Sequence, residues 1–289
     1  HLLNIASLTD NGKNYSILPI CSQLYSNIIE EDTSKNILED RIIDITIHSN
    51  NKGIFVFDRG YDSRKLITLL SNNENNYIIR STGKRSFIED NTEVSFSSVV
   101  RQIKLKHEFK TSDNKTFNCG TKKVKIRINP HKRKHPDIVE ANLVVVRHGK
   151  KGGLFYFLCN FNDSTMTDYE IILKAVKGYR KRWKIEEFHR HIKQEFNWEK
   201  VQLMSYVGLK NINIILMVAV DIVYSTIKYL EELLYQFPEF GSTNYKNHTY
   251  VYYKLSRIIK HIFNNTKLNK IIPHKGEYHD KLQLRINFL

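Results

Sequence analysis

Cysteine is scarce in this chain, and the little there is lies scattered. Cys21, Cys119 and Cys159 are odd in number, far apart and form no C-x-x-C pair. That pattern excludes a disulfide framework, offers no zinc-site spacing, and fits a reducing cytoplasm. No glycine-rich phosphate loop and no internal repeat is present. No signal peptide opens the sequence. Long apolar runs are nearly absent. The one such run, 212–227, is short for a membrane span and contains Asp221, so it reads as a buried helix with no membrane role. Acidic residues are in deficit: 30 Asp plus Glu face 45 Lys plus Arg, a formal net charge of +15. A balance that basic points to a polyanionic partner, nucleic acid ahead of an anionic membrane, although basic solubility alone gives the same sum.

What is there suffices for a folded protein. The 289 residues are 41% hydrophobic, enough for one large or two moderate cores. The chain begins at His1, within what reads as a strand, which implies a fragment of a longer protein. Leu2–Thr9 and Tyr15–Ile20 read as paired strands around an Asp10-Asn11-Gly12 turn. The segment 33–49 has helical apolar spacing. The run 53–57, GIFVF, reads as a buried strand that ends in Asp58-Arg59-Gly60-Tyr61-Asp62-Ser63. A carboxylate at such a strand end sits where α/β sheets place ligands, although a turn acid can equally be structural. Asp62 or Ser63 can cap a helix from Arg64 to Leu70, and capping is the favoured role for Asp62. Tyr77–Arg80 reads as a further strand.

From 81 to 160 the pattern changes to short β-rich runs, 93–101, 101–109, 122–128, 141–147 and 154–159, separated by polar turns. The stretch 101–151 holds 15 Lys plus Arg against 4 Asp plus Glu. Within it, Lys132, Arg133 and Lys134 lie in an exposed loop between Pro130 and Pro136, suited to phosphate contact; a merely solvated loop has the same composition.

Thr167-Asp168 caps a helix leading toward Tyr179–Lys193, YRKRWKIEEFHRHIK, which reads as one continuous helix. At about 100° per residue, Ile185, Phe188, Ile192 and Phe196 share an arc of roughly 80°, a core stripe. Tyr179, Arg182, Glu186 and Lys193 share a second arc of roughly 60°. One carboxylate among cations and a phenol suits metal-assisted phosphodiester chemistry. A solvated face with internal ion pairs, the commoner origin of such spacing, fits it too. Trp183 reads as a packing residue, with base stacking as the alternative. The segments 211–232 and 250–263 read as helices, and the rest of the tail from 236 is polar and basic.

Two motifs, FVFDRGYDS around Asp58 and Y-x2-R-x3-E-x6-K filled by Tyr179, Arg182, Glu186 and Lys193, resemble DDE transposases of bacterial insertion sequences, in the IS-four type group that carries the Y-R-E-K signature. The resemblance covers roughly 2–225. It implies an α/β fold: a ribonuclease-H-like core, a mixed sheet flanked by helices, interrupted by an all-β insertion subdomain and followed by a helical C-terminal part. The implied divisions are 1–80 and 161–228 for the core, 81–160 for the insertion and 229–289 for the tail. Asp58 and Glu186 would be the second and third acids of an Asp-Asp-Glu set holding two Mg²⁺ or Mn²⁺ ions, with the first Asp on a strand upstream of His1. Tyr179, Arg182 and Lys193 would contact DNA phosphates, joined by Arg59, Lys132, Arg133 and Lys134. The implied activity is DNA cleavage and strand transfer at element ends by a cytoplasmic homodimer on double-stranded DNA. The alternative is a catalytically inactive DNA-binding remnant.

Overall fold

In the computed structural model, the described residues are 2–10, 15–25, 34–110, 114–128, 138–149, 152–203, 205–226 and 251–265. They divide into two compact units, one of His1–Leu3 with Leu24–Glu186, the other of Asn4–Gln23 with Glu187–Leu289.

The first unit is built on one eight-stranded mixed sheet. Its strands are β3 (Phe55–Phe57), β4 (Tyr77–Arg80), β5 (Ser86–Glu89), β6 (Thr92–Ser95), β7 (His107–Lys110), β8 (Thr116–Arg127), β9 (Ile138–His148) and β10 (Leu154–Asn160). The order is β3-β4-β10-β9-β8-β5-β6, with β7 paired to β8. Only β3 and β4 are parallel, in the register Phe55↔Tyr77, Val56↔Ile78 and Phe57↔Ile79. Strands from the β-rich interval thus join β3 and β4 in a single sheet.

Alternation along the strands makes two cores. Tyr77 and Ile79 of β4, with Leu143 and Val145 of β9, face one side. They pack there against α1 (Ser34–His48), α2 (Arg64–Asn72) and α3 (Phe96–Gln102), which contribute Ile42, Ile67, Leu70 and Val99. Ile78, Val144, Val146, Phe157 and Cys159 face the other side and meet Ile172, Ala175 and Val176 of α4 (Asp168–Lys181). Side chains that alternate across a pleated strand need cover on both faces, and helices on each supply it.

Several boundaries differ from the sequence reading. β3 is half-buried, because it forms the end of the strand order and not its middle. The expected strand over 93–101 is instead β6 followed by α3, because the Ser95 hydroxyl accepts from Ser98 N–H at 3.2 Å and starts a helix there. Ser63, not Asp62, caps α2, its hydroxyl accepting from Leu66 N–H at 3.2 Å. Thr167 caps α4 as expected, in a reciprocal pair with Glu170.

The second unit contains most of the hairpin β1 (Leu2–Asp10) and β2 (Tyr15–Leu24), together with α6 (Tyr206–Thr226), α7 (Val251–Asn265) and nearly all of α5 (Trp183–Glu195) after its first turn. Asn213 of α6 is buried and donates to Ser22 O at 3.0 Å. His191 of α5 is buried between two hydroxyls, Tyr224 and Ser256, each 2.9 Å from a ring nitrogen. Glu195 at the end of α5 pairs with Arg257 at 3.3 Å and Lys260 at 3.5 Å. α6 is long and apolar enough by length and composition to cross a membrane. The sequence reads it as buried, yet Val207, Ile214, Ile215, Val218 and Ile222 are exposed among the described residues. An evenly apolar helix does not announce which side packs, and only the stripe of Asn213, Leu216, Val220, Val223 and Tyr224 is buried here.

Candidate active site

The site begins at the end of β3. Asp58 follows the strand with extended backbone and caps a 3-10 turn, Arg59–Tyr61, its Oδ1 accepting from Arg59 N–H at 2.8 Å. The other half arrives with α4, whose last turns run over β4. At Gly178 a Cβ would stand 2.5 Å from Ile78 Cδ1, so the helix reaches this closeness only because no side chain intervenes. The next residue, Tyr179, packs on the Phe157 ring at 4.7 Å between centroids. Its phenol donates to Asp58 Oδ1 at 2.8 Å, joining residues 121 positions apart.

The helix does not run straight through the motif. α4 ends at Lys181 and α5 starts at Trp183. At the junction Arg182 N–H bonds to Tyr179 O at 3.0 Å and Ile185 N–H to Arg182 O at 3.1 Å. These i to i−3 bonds tighten the chain into 3-10 geometry, which interrupts the expected single helix. Arg182 stands at this joint and spans the acids. Its Nη2 donates to Glu186 Oε1 at 2.7 Å, and its Nη1 lies 3.8 Å from Asp58 Oδ2. The guanidinium carbon is 5.6 Å from the Tyr179 ring centroid.

Burial raises the Asp58 carboxyl, but the Arg59 amide, the Tyr179 phenol and the charges of Arg182 and Arg80 outweigh it and hold the acid below its ordinary range. Burial and the bond to Asp58 push the Tyr179 phenol up, keeping it a proton donor. Burial alone would lower the Arg182 guanidinium, yet Glu186, Asp58 and Tyr179 together raise it. The result is a hydrogen-bonded cluster in which Asp58 is 46% exposed and Glu186 38%, against 19% for Arg182.

Asp58 and Glu186 each keep a second carboxylate oxygen without a hydrogen bond from a described residue. Hard oxygen donors on one or two carboxylates, completed by substrate phosphate and water, are what Mg²⁺ takes. The pair fits that chemistry. Among the described residues, no group of three or more His, Cys, Asp or Glu is gathered to hold an ion.

Of the other expected residues, Arg59 lies beside Asp58, its Nη2 reaching Thr82 O at 3.5 Å. Lys193 belongs to the second unit, where its ammonium sits 2.6 Å from Glu199. Lys132, Arg133 and Lys134 lie outside the described residues. Trp183, expected to pack, is 51% exposed, since at the helix joint its side chain is left outside the core.

Two features escape the sequence reading. Arg80, the last residue of β4, helps hold the Asp58 carboxyl down and also pulls the Tyr179 phenol down against the burial that raises it. Its signal is available: it ends a strand that the apolar pattern locates. Asp62 is not a cap. Its carboxylate accepts from Ser81 Oγ at 2.9 Å, Thr82 N–H at 2.8 Å and Thr82 Oγ1 at 3.0 Å, and pairs with Arg85. It thereby ties the turn after β3 to the loop after β4.

A comparison with curated proteins gives no match. The family model described as Transposase DDE domain matches residues 32–222, well over half of the chain and a span that includes β3, α4 and the Arg182 joint. The chain belongs to the DDE-domain transposase family.

Proposed function

We propose that the chain is the catalytic part of an insertion-sequence transposase of the IS-four type, cleaving DNA at element ends and transferring the strand. The observation that carries the reading is the connection of Asp58, Tyr179, Arg182 and Glu186 into one hydrogen-bonded and ion-paired cluster from segments far apart in sequence. Family members generally use divalent metal ions, and here Asp58 and Glu186 would hold Mg²⁺ or Mn²⁺. Such ions, when bound, polarise a phosphoryl oxygen and ease formation of the attacking oxyanion.

The chain's own residues prepare that chemistry. The Tyr179 phenol and the Arg59 amide fix one oxygen of Asp58, which leaves the other oriented. Arg182 holds Glu186 in place and offers a forked donor to a DNA phosphate entering between the acids. Arg59, Lys193, Lys132, Arg133 and Lys134 would contact flanking phosphates, and exposed Trp183 could stack on a base. The basic composition suits such a polyanion. Water would first free a 3′-hydroxyl at the element end, and that hydroxyl would then attack a second strand. A homodimer bringing two ends together in the cytoplasm completes the reading, with 81–160 as an insertion and 229–289 as a tail.

The test is Mg²⁺-dependent cleavage of a labelled duplex carrying the element's end, using this chain, a version extended at its N-terminus, and Glu186→Ala in each. Cleavage that vanishes with Glu186→Ala while end binding persists is the expected result. Cleavage that survives the substitution sinks the assignment of Glu186. Binding without cleavage by either chain favours the DNA-binding remnant.

A further inference from the structure

The parallel pairing of β3 and β4 puts both C-terminal ends at one edge of the sheet. Asp58 follows one strand, and the loop 81–85 follows the other. Beside them, between the start of α2 and that loop, lies a cleft of about 510 Å³. Its volume falls in the range of ligand-binding clefts. None of the residues expected from the sequence to touch DNA lines it.

The cleft's lining is cationic. Arg64 and Lys84 both line it, and neither makes an ion pair among the described residues. The one acid in the wall is Asp62, whose carboxylate is 1% exposed and already engaged by Arg85, Ser81 and Thr82. Two positive charges therefore stay uncompensated in the lining. Hydroxyls of Ser86, Ser95 and Ser97 fill much of the remaining wall. The Ser95 and Ser97 oxygens are 3.1 Å apart and either can donate, so a hydroxyl proton can turn toward a guest. Gly83, at φ +76°, supplies a bend that other residues adopt only with strain, and keeps that wall free of a side chain.

Two cations without a carboxylate partner and orientable hydroxyl donors, with the only acid neutralised, match a phosphodiester and not a cation or an apolar ligand. We propose that this cleft is a second phosphate subsite, gripping the DNA backbone beyond the strand position that lies at Asp58. The inference rests on the DNA-processing reading above and adds to it a strand path along the sheet edge, from the Asp58 cluster past Arg59 to Arg64 and Lys84. The Arg59 hydrogen bond to Thr82 O already joins the two loops on that path.

The experiment is the salt dependence of binding of an end-bearing duplex, followed by fluorescence anisotropy with wild type and the double variant Arg64→Ala/Lys84→Ala. Neither side chain holds a carboxylate among the described residues, so the variant should fold normally; circular dichroism melting checks this, and the single variants Arg64→Gln and Lys84→Gln serve if it does not. The slope of log K against log salt should become less steep by roughly 0.9 for each phosphate no longer neutralised. A neutral methylphosphonate placed at the gripped phosphate should weaken the wild type in the same way and leave the double variant unaffected. Wild-type binding with an unchanged slope in the variants overturns the subsite alone. Failure of the wild type to bind DNA overturns the DNA reading beneath it.

Discussion

Removing the Asp62 carboxylate tests whether the two loops at the sheet edge are held by one buried charge. Asp62 is 1% exposed and its partner Arg85 7%. The Asp62→Ala variant leaves a buried guanidinium without its counter-ion, a loss of about 3–5 kcal/mol, and frees three further donors worth roughly 1 kcal/mol each where water cannot replace them. Water will enter at the cleft, so about 3–5 kcal/mol is the expected total. That is a large part of the ~5–15 kcal/mol by which domains are stable. At about 2–4 °C per kcal/mol for a unit of this size, the melting temperature should fall by roughly 6–20 °C. Urea and thermal unfolding followed by circular dichroism measure it.

The sign with pH is fixed as well. Burial raises the Asp62 carboxyl, but the Thr82 amide and Arg85 outweigh it, so its folded value lies below the ordinary 3.8. The Asp62 contribution is therefore complete above about pH 4 and fades as pH falls through the folded value. The gap between wild type and Asp62→Asn should be constant from about pH 5 to 8 and close on acidification. The double variant Asp62→Ala/Arg85→Met should recover much of the loss, since it removes both charges together. A loss under about 1 kcal/mol for Asp62→Ala, or no recovery in the double variant, refutes the reasoning.

Other substitutions probe the cluster itself. Tyr179→Phe removes one donor from Asp58, so the Asp58 carboxyl should titrate higher than in the wild type by carbon-13 NMR; an unmoved titration denies the hydrogen bond its role. Arg182→Lys loses the forked reach to both acids and should lower cleavage by about ten- to a hundredfold, the equivalent of one charge-assisted bond; full activity would mean a point charge suffices. Burial pushes the Cys119 thiol up to about 11 and Cys159 higher still, so in the native chain at pH 8 a thiol reagent should react promptly with half-buried Cys21 alone and with all three after unfolding.

Much of the candidate cluster was legible because its residues sit at places the chain must mark locally. Asp58 ends an apolar strand, and Tyr179, Arg182 and Glu186 recur at helical spacing; both are short-range patterns. What was not legible depends on long-range partners. Asp62 looks like a cap because Asp before a helix usually is one, and only the folded loop 81–85 shows where its carboxylate goes. The strand expected over 93–101 ends at Ser95, because a serine cap starts a helix there despite β-favouring Val99 and Val100. The joint at Arg182 leaves no mark in a wheel that assumes a constant turn. For α6, apolar residues all round gave no direction at all.

The missing side chain at Gly178 acts as a register pin. If α4 slid one residue either way along β4, Lys177 or Tyr179 would bring a Cβ to the place where only a hydrogen now fits against Ile78. Sliding would therefore press on the Ile78 side chain, which is fully buried and has little room to shift. The Tyr179 phenol that reaches Asp58 follows directly on this close approach, and Arg182 stands four residues beyond it. The helix is indexed against the sheet like a toothed rack with a single notch, cut one residue before the phenol that reaches Asp58.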